Sequence, residues 1–248
     1  PAALTVSVNA ATKTYDGLAY TGGNGVTYAG FVNNETESVL VGALTYGGSA
    51  QNAINVGTYA LTANGLNSVN YAIQYVGNTL TVGQAALMIT ANAANKTYDG
   101  LAYVGGNGVT YAGFVNNETE LALAGTLTYG GAAQNAVNAG SYSLIPAGLS
   151  SGNYAIQFTA GTMTLDPAAL IITANVANKT YDGLPFTGGN GVTYAGFVNN
   201  ETEAVLTGSI VYGGTAQNAV NSGSYALTAI GSSSPNYTCL LYTSPSPR

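Results

Sequence analysis

The pentapeptide Lys13-Thr14-Tyr15-Asp16-Gly17 organises the whole chain, because it returns unchanged at 96–100 and at 179–183. These positions give a period of 83 residues without a gap. The chain therefore divides into two full repeats and a third that ends early: 1–83, 84–166 and 167–238. A repeat of this length is long enough to enclose a small core of its own, so the repeats are predicted to be modules arranged end to end.

Charged side chains are rare, and this excludes several classes of function. Of 248 residues, 4 are Lys or Arg, 10 are Asp or Glu and none is His, so the net charge is −6. Without His there is no imidazole base, no Ser-His-Asp triad and no imidazole metal ligand. The one Cys excludes a disulfide framework and a Cys-rich zinc site. So few cationic residues cannot neutralise a phosphate backbone, which excludes nucleic-acid binding.

The last ten residues break the repeat. Cys239 stands where the earlier copies have Ile73 and Ile156, and residues 239–248 resemble the translation of a sequencing-library adapter. We interpret residues 239–248 as an adapter artefact and expect the third repeat to lack its final strand. Without them, the cationic side chains are one lysine in each repeat: Lys13, Lys96 and Lys179.

Local patterns within each repeat favour β-strands. Leu4-Thr5-Val6-Ser7-Val8 opens the first repeat with alternating apolar residues, and Gly57-Thr58-Tyr59-Ala60-Leu61-Thr62 alternates in size and polarity. Glycine pairs such as Gly47-Gly48 follow short apolar segments and indicate turns. We predict a mostly β protein of tandem 83-residue modules. Each module is a small β-sandwich or β-grasp-like domain with at most one short helical turn.

Two further elements are predicted inside the repeat. Residues 70–76 and 79–82 have the pattern of a closing hairpin, and Gly77-Asn78 between them is a two-residue turn that tolerates positive φ. Asn34 is a candidate N-cap for a helical turn that begins at Glu35, where acidic residues favour the positive end of a helix. The rest of the repeat is predicted to be strands and loops.

Several motifs taken together resemble a known family. Besides the Lys-Thr-Tyr-Asp-Gly start, they are Gly140-Ser141-Tyr142, Gly152-Asn153-Tyr154-Ala155-Ile156 and Gly161-Thr162-Met163-Thr164-Leu165. In this order they resemble the YDG repeat, one of the MBG-type modules of filamentous-haemagglutinin-like bacterial surface adhesins. The resemblance covers residues 1–238. It implies a large secreted or surface-anchored protein with many such modules between an export segment and a binding region or anchor.

The Tyr15-Asp16-Gly17 motif is interpreted as a turn, since Asp bonds to the backbone two residues ahead and Gly supplies positive φ. A second interpretation is a calcium site made by Asp16, Glu35 and Glu37, because hard cations take several carboxylate oxygens. No Asp-x-Asp-x-Asp spacing supports that site. The same carboxylates as a glycosidase pair would require an open cleft and a unique site. We therefore predict no enzymatic activity, no metal and no cofactor.

Two other motifs have both a structural and a functional interpretation. Gly22-Gly23-Asn24-Gly25 is predicted to be a loop or hairpin turn, because the Lys-Ser/Thr of a phosphate-binding loop is missing. Lys13 is predicted to be an exposed lysine that protects a strand edge. The alternative for Lys13 is a side-chain amide crosslink of the kind found in some surface adhesins, which requires a buried lysine beside a catalytic acid.

Tyrosine and asparagine supply the remaining candidate sites. Most tyrosines are predicted to pack in the core or along strand edges. The tyrosines that flank the glycine-rich loop are candidates for exposed ligand contacts: Tyr20, Tyr28, Tyr103, Tyr111 and Tyr194. An Asn-Glu-Thr acceptor motif in each repeat provides candidates for glycosylation: Asn34, Asn117 and Asn200.

The sequence favours a structural role over a chemical one. The gapless period, the short joints and the lack of a reactive constellation predict an extended stalk or spacer in a secreted or surface-exposed bacterial adhesin. The alternative is a multivalent module in which each repeat holds a weak site for a host glycan or glycoprotein and tandem copies raise the avidity. Both predictions place the protein outside the cell or on its surface. Neither involves nucleic acid or the insertion of this segment into a membrane.

Overall fold

The computed structural model describes residues 1–242, 244 and 245. The strands of the first repeat are β1 (Ala2–Val8), β2 (Ala11–Thr14), β3 (Val26–Ala29), β4 (Val41–Gly47), β5 (Gly57–Asn67), β6 (Tyr71–Val76) and β7 (Asn78–Gly83). Those of the second are β8 (Ala85–Ala91), β9 (Ala94–Thr97), β10 (Val109–Ala112), β11 (Ala124–Gly130), β12 (Gly140–Ser150), β13 (Tyr154–Thr159) and β14 (Gly161–Asp166). Those of the third are β15 (Ala168–Ala174), β16 (Val192–Ala195), β17 (Val211–Gly213), β18 (Ala226–Ile230), β19 (Tyr237–Tyr242) and β20 (Ser244–Pro245).

The strands of each repeat form two small sheets. In the first repeat β1 lies between an antiparallel β3 and a parallel β6, and the second sheet has the order β2-β7-β5-β4. The second repeat has the same two sheets, β10-β8-β13 and β11-β12-β14-β9. The predicted mostly β class is therefore confirmed. Two sheets fit the sandwich alternative, since a β-grasp domain would also need a helix across its sheet.

The sheets bury one face, as the alternating sequences predict. On β1, Leu4, Val6 and Val8 are buried, and the residues between them are not. On β7, Leu80 and Val82 are buried in the same way. Alternating apolar and polar residues thus fix which side of each strand faces the core.

The predicted closing hairpin is wrong. β6 and β7 follow each other along the chain, but they join different sheets. Tyr75 on β6 pairs with Val6 on β1, whereas Leu80 on β7 pairs with Tyr59 on β5. The chain crosses between sheets at Gly77 because this places the apolar residues of β7 in the interior. Burying these side chains is worth more than the few hydrogen bonds of a local turn.

The predicted helical turn is present, but it begins later than expected. In each repeat it is a three-residue 3-10 helix: Glu37–Val39, Glu120–Ala122 and Glu203–Val205. The residue before it, Thr36 in the first repeat, is extended and takes the N-cap position, so Asn34 is not the cap. Asn34 instead has a φ of +58° in a tight turn. The described residues include no helix of the length and apolarity needed to cross a membrane.

The chain folds into two compact units whose limits differ from those of the repeats. The first unit contains Pro1–Thr90, Val109–Leu127 and Ala147–Thr159, and the second contains Ala91–Gly108, Thr128–Pro146 and the chain from Ala160 on. Each unit thus contains one boundary between repeats. We call the boundary inside the first unit the first junction and that inside the second unit the second junction.

The core does not stop at the end of a repeat. In the first unit, Leu61 and Leu80 of the first repeat share a core with Leu87, Ile89 and Tyr154 of the second repeat, and none is more than 2% exposed. The second unit buries residues of the second and third repeats together in the same way. The prediction that each repeat encloses a core of its own is therefore wrong at both junctions, because neighbouring repeats bury apolar surface against each other.

The third repeat differs from the other two near its end. β19 continues to Tyr242, and Leu170 pairs with Cys239 at the position where Leu4 pairs with Ile73. Ser244 pairs with β18, as β7 pairs with β5. The expectation that this repeat lacks its final strand is therefore wrong. The backbones of β19 and β20 pair with β15 and β18, although their sequences differ from those of the earlier repeats. Of the segment 239–248, which we interpret as an artefact, residues 243 and 246–248 lie outside the described residues.

Candidate functional site at the repeat junctions

A tight turn follows β2 in the first repeat. The Asp16 carboxylate accepts a hydrogen bond from the backbone N–H of Leu18 at 2.9 Å and pairs with the Lys13 ammonium at 2.8 Å. Gly17 has a φ of +73°, which a residue with a Cβ adopts only at a cost. The predicted turn is therefore confirmed. The hydrogen bond from Lys13 lowers the pKa of the Asp16 carboxyl.

Lys13 lies on the edge strand β2, as predicted for a lysine that protects an edge. Its side chain is only 15% exposed, so it is more covered than expected. The ammonium group binds the Asp16 carboxylate and the Leu18 carbonyl. The same ion pair recurs in the other repeats as Lys96–Asp99 at 2.7 Å and Lys179–Asp182 at 2.9 Å. This lysine is therefore held as one half of an ion pair.

The turn directs Tyr15 into the first junction. Tyr15 is 5% exposed, and its hydroxyl donates to Oε1 of Glu118 at 2.5 Å. The hydroxyl of Tyr154 donates to the other oxygen of the same carboxylate. The two rings pack edge to face with centroids 5.5 Å apart, an arrangement that aromatic quadrupoles favour. One carboxylate of the second repeat thus binds tyrosines from two successive repeats.

Glu118 is positioned by a tight turn made of two asparagines. Asn116 and Asn117 have φ values of +50° and +58°, and the N–H of Glu118 donates to the Val115 carbonyl at 2.9 Å. Two consecutive residues with positive φ closed by this bond form a type I′ turn, in which Asn is favoured. The Asn116 side chain donates to the Gly17 carbonyl at 3.2 Å. The turn therefore presents both an amide and a carboxylate to the preceding repeat.

Asn153 makes a second polar contact across the first junction. Its Oδ1 accepts from the backbone N–H of Val56 at 3.0 Å, and its Nδ2 donates to Oδ1 of Asn55 at 3.0 Å. Its own carbonyl accepts from the N–H of Ala85 at 3.0 Å. Asn153 of the second repeat therefore binds the loop before β5 in the first repeat and the start of β8 in its own repeat.

The second junction repeats this geometry with the corresponding residues. The Tyr98 hydroxyl donates to Glu201 at 2.6 Å, and the Asn199 side chain donates to the Gly100 carbonyl at 3.3 Å. Asn236 binds the N–H of Ala139 at 2.8 Å and Asn138 at 3.0 Å. Tyr237 also donates to Glu201 and packs against Tyr98 with ring centroids 5.4 Å apart. The same set of side chains thus closes both junctions.

The electrostatics of the junction keep the tyrosines protonated. The hydrogen bond to Glu118, with burial, raises the pKa of Tyr15 to about 12. Burial, with the hydrogen bond to Glu201, raises the pKa of Tyr98 to about 12. A hydroxyl that donates to a carboxylate makes a stronger hydrogen bond than a neutral pair. The arrangement therefore binds one repeat to the next and leaves the carboxylate oxygens occupied.

Two of the three carboxylates of the calcium hypothesis are bound to other side chains. Asp16 binds Lys13, and Glu35 accepts the hydroxyl of Tyr71. Within the part of the chain that the structure describes, no three acidic or cysteine side chains lie close enough together to hold a metal ion. The geometry therefore gives the calcium interpretation no support.

The tyrosines proposed as ligand contacts are half-buried, and they lie against the cores. Tyr20 and Tyr103 pack beside the junction cores, and each exchanges backbone hydrogen bonds with a neighbouring loop. Tyr28 packs on Phe31 with ring centroids 5.5 Å apart, and burial raises its pKa. The remaining two candidates pack on a phenylalanine in the same way: Tyr111 and Tyr194. Each of these residues is neither fully buried nor fully exposed, so a ligand contact stays a prediction.

The glycine-rich loop is held by side-chain amides. Gln51 both accepts from the N–H of Gly22 at 2.9 Å and donates to its carbonyl at 2.8 Å. Asn24 donates to the carbonyl of Ala10 at 2.8 Å. A Cβ at Gly23 would lie 2.2 Å from the ring of Tyr46, so the loop packs directly on that tyrosine. These contacts agree with the predicted loop. The close approach of Tyr46 explains why residue 23 is a glycine.

The candidate glycosylation sites lie on exposed turns. Each is the second asparagine of the type I′ turn and is exposed in its repeat: Asn34, Asn117 and Asn200. At the two junctions the asparagine before the exposed residue donates to the preceding repeat: Asn116 and Asn199. A modification on Asn117 or Asn200 would therefore lie beside a junction, and glycosylation remains a prediction.

Sequence reasoning missed the junction residues. The local patterns place Tyr15 in a turn and, through the repeat, Glu118 in a helical turn and Asn153 at the start of a strand. Their partners lie about a hundred positions away in the sequence, so no local pattern joins them. One signal was available: in a chain with 10 acidic residues, a glutamate recurs at the same position of every repeat. Recent duplication explains such a recurrence equally well, so the signal did not decide the matter.

Comparison with known proteins agrees with the repeat structure. The family model described as "MBG domain (YGX type)" matches residues 4–81, 87–164 and 170–244. This confirms the predicted resemblance to MBG-type modules. No curated protein matches the chain.

Solved structures similar to the chain include cadherin ectodomains. Drosophila N-cadherin EC1-4 is 10% identical with a TM-score of 0.30, over 99% of this chain and 74% of that one. The protocadherin gammaB7 EC3-6 cis-dimer structure is 10% identical with a TM-score of 0.25, over 98% and 70%. The protocadherin GammaB4 extracellular domain is 9% identical with a TM-score of 0.25, over 98% of this chain and 48% of that one.

Proposed function

This chain belongs to the MBG domain family of the YGX type, and we propose that it acts as a spacer in the stalk of a surface-exposed bacterial adhesin. Its three MBG repeats form an adhesin-like repeat region. Such repeats are typical of extracellular or surface proteins and are generally not enzymes. The proposal assigns this segment the task of separating other parts of a longer protein.

The observation that carries the proposal is the use of the polar side chains at the junctions. Tyr15, Glu118 and Asn153 bind other parts of the protein with most of their polar atoms. Tyr98 and Glu201 do the same at the second junction. A module made for ligand binding would direct such groups towards solvent. Their use between repeats supports a role in which each repeat holds the next in a defined orientation.

The proposed mechanism is geometric. Each added repeat contributes length, and each junction restricts the angle between the repeats that it joins, through a buried aromatic pair and a shared carboxylate. The surface has few charges, since 6% of the residues are Asp, Glu, Lys or Arg. Hydroxyl and amide groups keep such a surface hydrated. A spacer of this kind requires neither a cofactor nor a substrate.

The competing function is multivalent binding of host glycans or glycoproteins. In that case the half-buried tyrosines beside the glycine-rich loop would stack on sugar rings, and tandem copies would raise the avidity. The test is a glycan array and a mucin-coated surface, both probed with the full chain after circular dichroism has shown that it is folded. The matched variant carries Tyr20→Ala and Tyr103→Ala.

A spacer gives no saturable binding to the array or to mucin. Saturable binding that falls at least about tenfold in the double variant would overturn the proposal, because about 1.4 kcal/mol of contact energy would then lie in the loop tyrosines. Saturable binding that the variant retains would also overturn it, since the repeats would then bind glycans through another surface.

A further inference from the structure

The second repeat has further repeats attached at both ends, so tension along the chain passes through it. The chain enters it through Gln84, before β8, and leaves it through Asp166, at the end of β14. β8 is parallel to β13 over six residue pairs that begin with Ala85 and Tyr154. β9 is parallel to β14 over four residue pairs. The two strands nearest the entry thus pair with the two strands nearest the exit, and both pairs are parallel.

Parallel pairing decides how tension acts on the hydrogen bonds. Stretching the chain pulls β8 towards its N-terminus and β13 towards its C-terminus. In a parallel pair these two termini lie at opposite ends of the pair, so the forces run along the strands in opposite directions. The evenly spaced hydrogen bonds between the strands then share the load. In a hairpin both pulled ends lie side by side, and the bonds break one after another.

The crossing between sheets is what makes both pairs parallel. β13 ends at Thr159, and β14 begins at Gly161 in a different sheet. A hairpin at this point would place β14 antiparallel beside β13, and tension would peel β14 away from its C-terminal end. The first repeat has the same arrangement, because β1 is parallel to β6 and β2 is parallel to β7.

Additional hydrogen bonds reinforce both pairs at the ends that tension loads. The side-chain amide of Gln84 donates to the carbonyls of Gly152 at 3.2 Å and Tyr154 at 3.3 Å. It therefore joins the residue before β8 to the start of β13. At the exit, the carbonyl of Asp166 accepts from the N–H of Tyr98 at 2.7 Å, so the end of β14 is bound to the residue that follows β9.

We propose that the first and second repeats are force-bearing modules, in which two parallel strand pairs resist stretching of the chain in shear. This property goes beyond the spacer function, since a spacer can separate other parts of a protein without resisting tension. A failure of the force measurement below leaves the spacer function standing. Saturable glycan binding would overturn the spacer function and leave the mechanical inference untouched.

The test stretches the folded full chain between two points that load the pair of β8 and β13 in different directions. Cys239→Ser removes the one native thiol, and Gly83→Cys supplies the first attachment point in both variants. Ala160→Cys places the second point after β13, which shears the pair. Gly152→Cys places it before β13, which peels the pair apart. All three attachment points are exposed, and a Cβ at Gly152 meets none of the described residues within 4 Å.

The unfolding force is measured by single-molecule force spectroscopy at one loading rate. We expect it to be at least about twofold higher in the shearing variant than in the peeling variant, because the hydrogen bonds then break together. Unfolding releases about 23–28 nm of chain between the attachment points, which identifies the event. Equal forces, or a higher force in the peeling variant, would overturn the proposal.

A side-chain variant tests the same pair of strands. Gln84→Ala, added to the shearing variant, removes the bonds that join the residue before β8 to β13 and should lower the unfolding force. Gln157→Ala is the matched control, because it makes the same chemical change at an exposed position of β13. A decrease in Gln84→Ala no larger than that in Gln157→Ala would mean that this pair does not carry the load, and would overturn the proposal too.

Discussion

Tyr98 and Tyr237 lie edge to face with ring centroids 5.4 Å apart, and their hydroxyls donate to the two oxygens of one carboxylate, that of Glu201. The two tyrosines belong to successive repeats. An aromatic contact and two charge-assisted hydrogen bonds therefore coincide at a single point, where they join one repeat to the next.

The hydroxyl of Tyr98 should contribute measurably to stability. Tyr98→Phe keeps the ring contact and removes one hydrogen bond to the Glu201 carboxylate, so we expect the free energy of unfolding to fall by about 1–3 kcal/mol. Urea denaturation followed by circular dichroism measures this change. Tyr181→Phe is the matched control, because this tyrosine occupies the same repeat position and is 67% exposed. Equal losses in the two variants would contradict the assigned role.

The close approach of Gly100 to Asn199 should make a methyl group costly there. Gly100→Ala adds a Cβ 2.6 Å from Cβ of Asn199, whereas Gly183→Ala adds one that meets none of the described residues within 4 Å. The φ values, +74° and +77°, are nearly the same, so the backbone strain is matched. We expect Gly100→Ala to be less stable than Gly183→Ala by about 1–3 kcal/mol. Equal thermal midpoints of the two variants would show that the junction accommodates the methyl group freely.

The junctions should weaken at alkaline pH. The pKa values of Tyr15 and Tyr98 are raised to about 12, above the ordinary value of 10.0. Between these values the folded protein binds more protons than the unfolded chain, so stability falls as the pH rises through this window. Their contribution is fully present below about pH 10. The urea midpoint measured from pH 8 upwards should fall less steeply in Tyr98→Phe than in the wild type. Parallel curves would exclude Tyr98 as a source of the pH dependence.

The amide of Gln134 should hold the glycine-rich loop of the second repeat. It accepts from the N–H of Gly105 at 2.9 Å and donates to its carbonyl at 2.7 Å. Gln134→Glu removes the donor, and we expect a loss of about 1 kcal/mol with faster hydrogen exchange at the Gly105 amide. Gln157→Glu makes the same chemical change at an exposed position and should leave that exchange unchanged. Unaltered exchange in Gln134→Glu would mean that the loop is held by other contacts.

Much of the fold was predictable because its signals are local. The alternation of Leu4, Val6 and Val8 predicts a strand with one buried face, and the structure has it. The closing hairpin was not predictable in the same way, because the local pattern after Gly77-Asn78 does not specify which sheet the following strand joins. The burial of Leu80 and Val82 decides between them, and that depends on residues distant in sequence.

The repeat, the β class and the turn at Asp16 and Gly17 follow from the amino-acid sequence alone, because backbone conformation and hydrogen bonds between near neighbours depend on adjacent residues. The contact between Tyr15 and Glu118 and the cores shared by successive repeats arise from the tertiary fold. A hydroxyl and a carboxylate have no preferred partner in sequence. They pair where the packing of apolar surface from two repeats brings them together away from water.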